Sequence, residues 1–266
     1  MRDILEEIVA NKQAELELWK QYIPMKRLYA LLESKGSFDT QTPSMKAALM
    51  QSNSGIIAEF VRKQPGKEWI NKAAKPRDIA LAFEANGATG ISFPTDFKYF
   101  GGYDEYIQEA RAAHVTLPIL YRNYIIDDYQ LFQAKHAGAS AVTLNAALLP
   151  IEVCQSFTSL CAQLHLEIVL EIHDESELEY LNCNPDMCLV NNRKFATLEM
   201  DTNISLQLAE KLPTDLLTIS AGGITDAAIA NQLRSVGYQG CIVDTYLMES
   251  EEVGTALQQL LTQINN

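Results

Sequence analysis

The stretch DIALAFEANGATGISFP (78–94) joins the two patterns that decide the fold. DIALAFEANGA (78–88) places its apolar side chains at helical spacing and ends near Gly87, whereas TGISFP (89–94) is a short apolar run closed by a proline. The alternation recurs from Ile56 onward. Its apolar runs are IIAEFV (56–61), TGISFP, LPILYR (117–122), SAVTLN (140–145), EIVLEI (167–172), DMCLVN (186–191), LLTISA (216–221) and GCIVD (240–244). Helical stretches such as YDEYIQEARAA (103–113) separate them. Strands alternating with helices imply parallel pairing through crossovers, and eight such units predict an α/β fold, a (β/α)8 TIM barrel. Barrels of this kind carry their chemistry where the strands end, so function is sought at eight short places.

Residues 1–48 carry no strand pattern. Met1–Trp19 and Met25–Ser34 read as amphipathic helices, SFDTQTPS (37–44) as a polar break, and Met45–Gln51 as a further helical segment. We read 1–48 as an N-terminal helical extension of a single domain, 1–266, with the barrel at 55–266.

Aspartate and glutamate number 34 against 21 lysines and arginines, a net charge of −13. A duplex binder needs a cationic face to displace counterions, so nucleic acid and anionic membrane are excluded as partners. Acidic residues stand at Asp3, Glu6 and Glu7 and no run is long enough to cross a bilayer, which predicts a cytoplasmic protein. The expected partner is a small-molecule substrate, and the expected state a monomer or weak homo-oligomer.

The five cysteines, Cys154, Cys161, Cys183, Cys188 and Cys241, lack metal-type spacing, and their odd number does not suit a disulfide framework. They read as buried free thiols. The histidines are scattered, so neither a metal nor a cofactor is expected. His173 lies two residues after Glu171, on the same side of its strand, and reads as structural.

At the strand ends the residues become more specific. GIIAEFVRKQPGKEWI (55–70), TDFKYFGG (95–102), LPILYRNYIIDDYQ (117–130), LEIHDESEL (170–178), VNNRKFATLEMD (190–201) and SAGGITD (220–226) together resemble indole-3-glycerol-phosphate synthase, a tryptophan-pathway lyase. The resemblance covers essentially the whole chain, including the helical front. It implies ring closure of a carboxyphenylamino-deoxyribulose phosphate with loss of carbon dioxide and water. Such chemistry needs a proton donor at the substrate carbonyl, carboxylates to move protons, and a grip on the phosphate.

By that resemblance Glu59 and Glu171 match catalytic glutamates, and Asn191 and Arg193 match the substrate-holding Asn-x-Arg. Several positions depart from the pattern. Val61 stands where the family has a lysine, and Arg122-Asn123 stands for Lys-Asp, whose lysine is the general acid. Arginine keeps the charge, but with a pKa above about 12 it is a poor proton donor at neutral pH. Ser220-Ala221-Gly222-Gly223-Ile224 replaces Ser-Glu-Ser-Gly-Ile, deleting a carboxylate. Asp244-Thr245-Tyr246 replaces the Gly-Glu-Ser or Gly-Glu-Thr turn that binds phosphate. A carboxylate about 5 Å from a phosphate dianion costs several kcal/mol at an effective dielectric of about 20, so phosphate is repelled unless Asp244 turns away. The amides of Gly222 and Gly223 remain as half of an anion site. Asn145 places an amide where the fourth strand usually ends apolar, and Gln64-Pro65-Gly66 replaces Ser-Pro-Ser.

Three readings stay open. One is a lyase that tolerates these substitutions. Another is an enzyme with a changed substrate, using Glu171 as acid or base, Arg122 as electrophile, and Phe93, Tyr121 and Tyr246 as an aromatic wall. The last is a non-catalytic binder. For Glu171, a raised pKa from burial competes with a salt bridge to Arg193 or Arg122. Impaired or redirected catalysis is the expectation.

Overall fold

The computed structural model describes residues 4–194 and 197–264, with the side chains of 67 and 68 also outside the described set. The first three residues expected in the leading helix, and the last two of the barrel, therefore lie outside it. Eight parallel strands close into a barrel. They are β1 (Ile56–Glu59), β2 (Gly90–Pro94), β3 (Ile119–Arg122), β4 (Ala141–Asn145), β5 (Glu167–Ile172), β6 (Met187–Asn191), β7 (Leu217–Ala221) and β8 (Gly240–Val243). Each pairs with its sequence neighbours, and β8 closes on β1.

Strand alternation sorts the apolar residues into two cores. Ile57, Leu120, Val169, Leu189, Ile219 and Ile242 fill the barrel. Ile56, Ile91, Val142, Leu170 and Val190 face the surrounding helices. Three helices precede the barrel: α1 (Ile4–Tyr22), α2 (Met25–Ser34) and α3 (Met45–Gln51). α3 plugs the bottom, with Met45 and Leu49 completing the interior core. A β-carbon on Gly90 would lie 2.7 Å from Met45 Sδ, so glycine there makes room for the plug. Glu167 fixes the start of α3 by accepting from the amides of Met45 and Lys46 at 2.7 and 3.1 Å, which answers the positive end of the helix. α1 lies along the rim, where buried Lys12 pairs with Asp96 at 2.6 Å and Glu15 at 2.7 Å.

After β1 the chain forms a two-stranded hairpin, Lys63–Gln64 against Lys67–Trp69. β1 stops at Glu59, so strand alternation does not extend to Val61. Val61 is instead buried in the outer core.

Candidate active site

Strand register sets the site. Glu59 pairs with Ser92, Pro94 with Arg122, Asn145 with Glu171, and Asn191 with Ala221, all at the C-terminal ends of their strands. The inward residues among them surround a narrow cavity of about 50 Å³. Its centre is Arg122. The guanidinium donates through Nη1 to Glu59 Oε2 at 2.9 Å and through Nη2 to Glu171 Oε2 at 3.0 Å. Glu59 also accepts from Ser92 Oγ at 2.6 Å. Glu171 Oε1 accepts from Asn145 Nδ2 at 3.0 Å and Asn191 Nδ2 at 2.9 Å.

His173 extends this line outward. Its Nε2 lies 3.4 Å from Glu171 Oε1, and its Nδ1 lies 3.2 Å from Glu177 Oε2. Charges thus alternate from Glu177 through His173, Glu171 and Arg122 to Glu59. Burial alone would lower the His173 imidazole, but the hydrogen bonds to Glu171 and Glu177 push it up to about 9. Burial alone would raise the Glu171 carboxyl. The Arg122 charge, the His173 contact and the Asn191 amide overcome that and hold it well below the usual carboxylate range. Of the two roles weighed for Glu171, the salt bridge to Arg122 is the one formed. A carboxylate with so many donors is a weak base as it stands.

At the opposite side, Asp244 accepts from the Thr245 amide at 2.5 Å and from Gln64 Nε2 at 2.7 Å. It lines the cavity together with Gly222 and does not turn away. Gln64 Oε1 accepts from Arg193 Nη2 at 3.4 Å, joining Arg193 to Asp244 through one amide. Arg193 also donates to the carbonyl of Leu198 at 3.3 Å. Burial lowers its pKa, and the nearby Asp244 charge opposes that.

The structure therefore gathers Glu59, Arg122, Asn145, Glu171, Asn191, Arg193, Gly222 and Asp244 around one cavity. It does not gather the rest. Phe93 and Tyr121 occupy the outward positions of β2 and β3 and sit in the core beneath the helices. Tyr246 lies in the short helix after β8 and packs against that same core. The aromatic wall expected from these three does not form. Ser220 also points outward, where its Oγ meets Asn192 Nδ2 at 3.1 Å and Ser205 Oγ at 2.7 Å. Gly223 sits under the loop after β6, where a β-carbon would lie 3.2 Å from Met200 Cβ. Both Gly222 and Gly223 have positive φ, 90° and 75°, a conformation that favours glycine.

Sequence reasoning missed Phe100, Tyr124, Thr143 and Met200 on the cavity wall. Thr143 was findable, two residues before Asn145 and so on the same side of β4. Phe100 ends the one-turn helix Phe97–Phe100, and Tyr124 and Met200 lie outside the barrel strands, so strand periodicity marks none of the three.

The sequence pattern of indole-3-glycerol phosphate synthase matches residues 5–260. The chain belongs to that family. An indole-3-glycerol phosphate synthase of Bacteroides thetaiotaomicron is 42% identical over 264 residues, covering 99% of this chain and all of the relative. One of Neisseria gonorrhoeae is 33% identical, covering 98% of this chain and 100% of the relative. Among solved structures, thiamine phosphate pyrophosphorylase from Pyrococcus furiosus aligns with a TM-score of 0.57 at 16% identity, covering 79% of this chain and 94% of that one. A chain of the Pyrococcus furiosus tryptophan synthase complex aligns with a TM-score of 0.59 at 14% identity, covering 79% and 97%. These two likenesses speak to the fold alone.

Proposed function

We propose that this family member has lost most of the ring-closing lyase activity and that its narrow barrel mouth serves a small, non-phosphorylated molecule. The arrangement of Arg122 carries this reading. The side chain at the proton-donor position is an arginine committed to both remaining carboxylates, so neither a proton donor nor a free base stands ready. Asp244, fixed toward the cavity, supports loss of phosphate binding. Phe100 and Tyr124 offer ring surface, while Asn191 and Arg193 offer polar contacts.

The same reading makes the protein cytoplasmic and monomeric or weakly self-associating, a single domain without nucleic-acid or membrane partners. All five cysteines are buried free thiols, which suits a reducing compartment. Among the described residues no helix is long and apolar enough to cross a membrane.

The test is restoration. Arg122→Lys, Ala221→Glu and Asp244→Gly, combined, return to this cavity three of the groups that the family resemblance assigns there. The combined variant should form indole-3-glycerol phosphate at least ten times faster than the unmodified chain. A folded combined variant with no gain would reject the reading.

A further inference from the structure

A second concavity lies outside the barrel mouth, between α1 and the rim that carries the ends of β2 and β3. Its volume is about 680 Å³, far larger than the mouth. Large exposed apolar side chains concentrate along it. Leu18, Trp69, Phe97 and Tyr103 are 56, 39, 53 and 40% exposed, and all four line this groove. Phe97 and Tyr103 form a continuous wall, with ring centroids 5.1 Å apart. Apolar surface gathered around one concavity marks a binding site more often than scattered exposure does.

The polar groups in the groove are unevenly matched. Lys12 is neutralised by Asp96 and Glu15. Lys63 donates to the Lys98 carbonyl at 2.9 Å, and Lys98 pairs with Glu7 at 2.9 Å. Among the described residues Asp104 forms no ion pair, and the cation acting on it, Lys12, is already held by Asp96 and Glu15. It stands just before the helix Glu105–Ala112 yet makes no side-chain capping bond, and it lines the groove together with Tyr121. Burial pushes that carboxyl up to about 7, against the opposing influence of Tyr121 and the Lys12 charge.

We propose that this groove binds a small aromatic monoamine, its ring held by Phe97, Tyr103 and Trp69 and its ammonium group placed on Asp104. An ammonium supplies the charge that Asp104 lacks. The aromatic walls supply the apolar contact and favour a cation beside them. A carboxylate ligand would meet Asp104 and Glu105 instead. Asn123 lines both this groove and the mouth, so the two sites are neighbours that share this residue.

The chain has two tryptophans, Trp19 and Trp69, and both line the groove, so intrinsic tryptophan fluorescence reports on it directly. The full-length protein is titrated with phenethylamine, with the neutral 2-phenylethanol and with the anionic 3-phenylpropionate. Phenethylamine should give a saturable change, with the neutral and anionic analogues at least ten times weaker. Asp104→Asn preserves the shape of the side chain and should weaken phenethylamine binding at least tenfold. Phe97→Ala, at an exposed position, should weaken it severalfold. Equal responses to all three compounds would overturn the proposal. So would a response that survives both groove substitutions and disappears in Arg193→Ala, since that places the amine in the mouth.

Discussion

Arg122 and Glu171 meet across the barrel mouth at 3.0 Å, while the other arm of the guanidinium holds Glu59 at 2.9 Å. The pairing makes Arg122 the keystone of a buried charge line. Removing one partner from such a group strands the others without compensation. Arg122→Met should therefore lower unfolding stability by about 3–5 kcal/mol. Replacing Glu59, Arg122 and Glu171 together by Gln, Met and Gln should recover most of that loss. Urea denaturation of both variants measures the difference, and equal losses would show that the charges are not what matters.

His173 gives the protein an alkaline dependence. Its folded pKa, about 9, lies above the ordinary imidazole value of about 6.5. Its contribution is therefore fully present below about pH 6.5 and is lost as pH rises through about 9. The melting temperature of the unmodified chain should fall across that window, by an amount reflecting at most about 3 kcal/mol. His173→Gln should flatten the profile there. Glu171 acts on the acid side: its depressed pKa gives stability present above the ordinary carboxylate range and lost as pH falls below it.

Asp104 has the opposite sign. An acid whose folded pKa rises to about 7 destabilises the fold once it is forced to ionise. The charged groups nearest it are Glu105, Lys12 and Glu15, and Tyr121 lines the same groove. Asp104→Asn should stabilise the ligand-free protein by roughly 1–2 kcal/mol at pH 8 and have no effect near pH 3. Thermal unfolding at the two pH values checks this.

The front helix is fastened by a buried ion pair. Lys12, 1% exposed, meets fully buried Asp96 at 2.6 Å. Lys12→Met leaves that aspartate unpaired and should cost about 3 kcal/mol or more, whereas Lys12→Met with Asp96→Asn should cost less. Hydrogen exchange across α1 reports whether the helix loosens, and identical exchange in both variants would refute the fastening role.

The barrel was legible because hydrophobic periodicity is local. EIVLEI marked β5 to the residue, and Met25–Ser34 and Met45–Gln51 marked α2 and α3. The hairpin after β1 was not legible, since Gln64-Pro65-Gly66 reads as turn chemistry and the short strands flanking it lack an alternating run. Within the site, positional matching found Glu59, Glu171, Asn191 and Arg193, which the structure brings together. It misplaced Phe93, Tyr121 and Ser220 because each neighbours an inward residue and so points the other way. Tertiary geometry alone decides that Glu171 is held by Arg122 and not by Arg193, and with it the direction of its pKa shift.

The most direct test of the altered mouth is the rate of indole-3-glycerol phosphate formation from the carboxyphenylamino-deoxyribulose phosphate, followed by indole fluorescence. The Bacteroides thetaiotaomicron relative, assayed under the same conditions, sets the reference. Loss of the general acid alone predicts a rate lower by about 10² to 10⁴, and the Asp244 carboxylate should lower it further. Turnover equal to that of the relative would contradict the account.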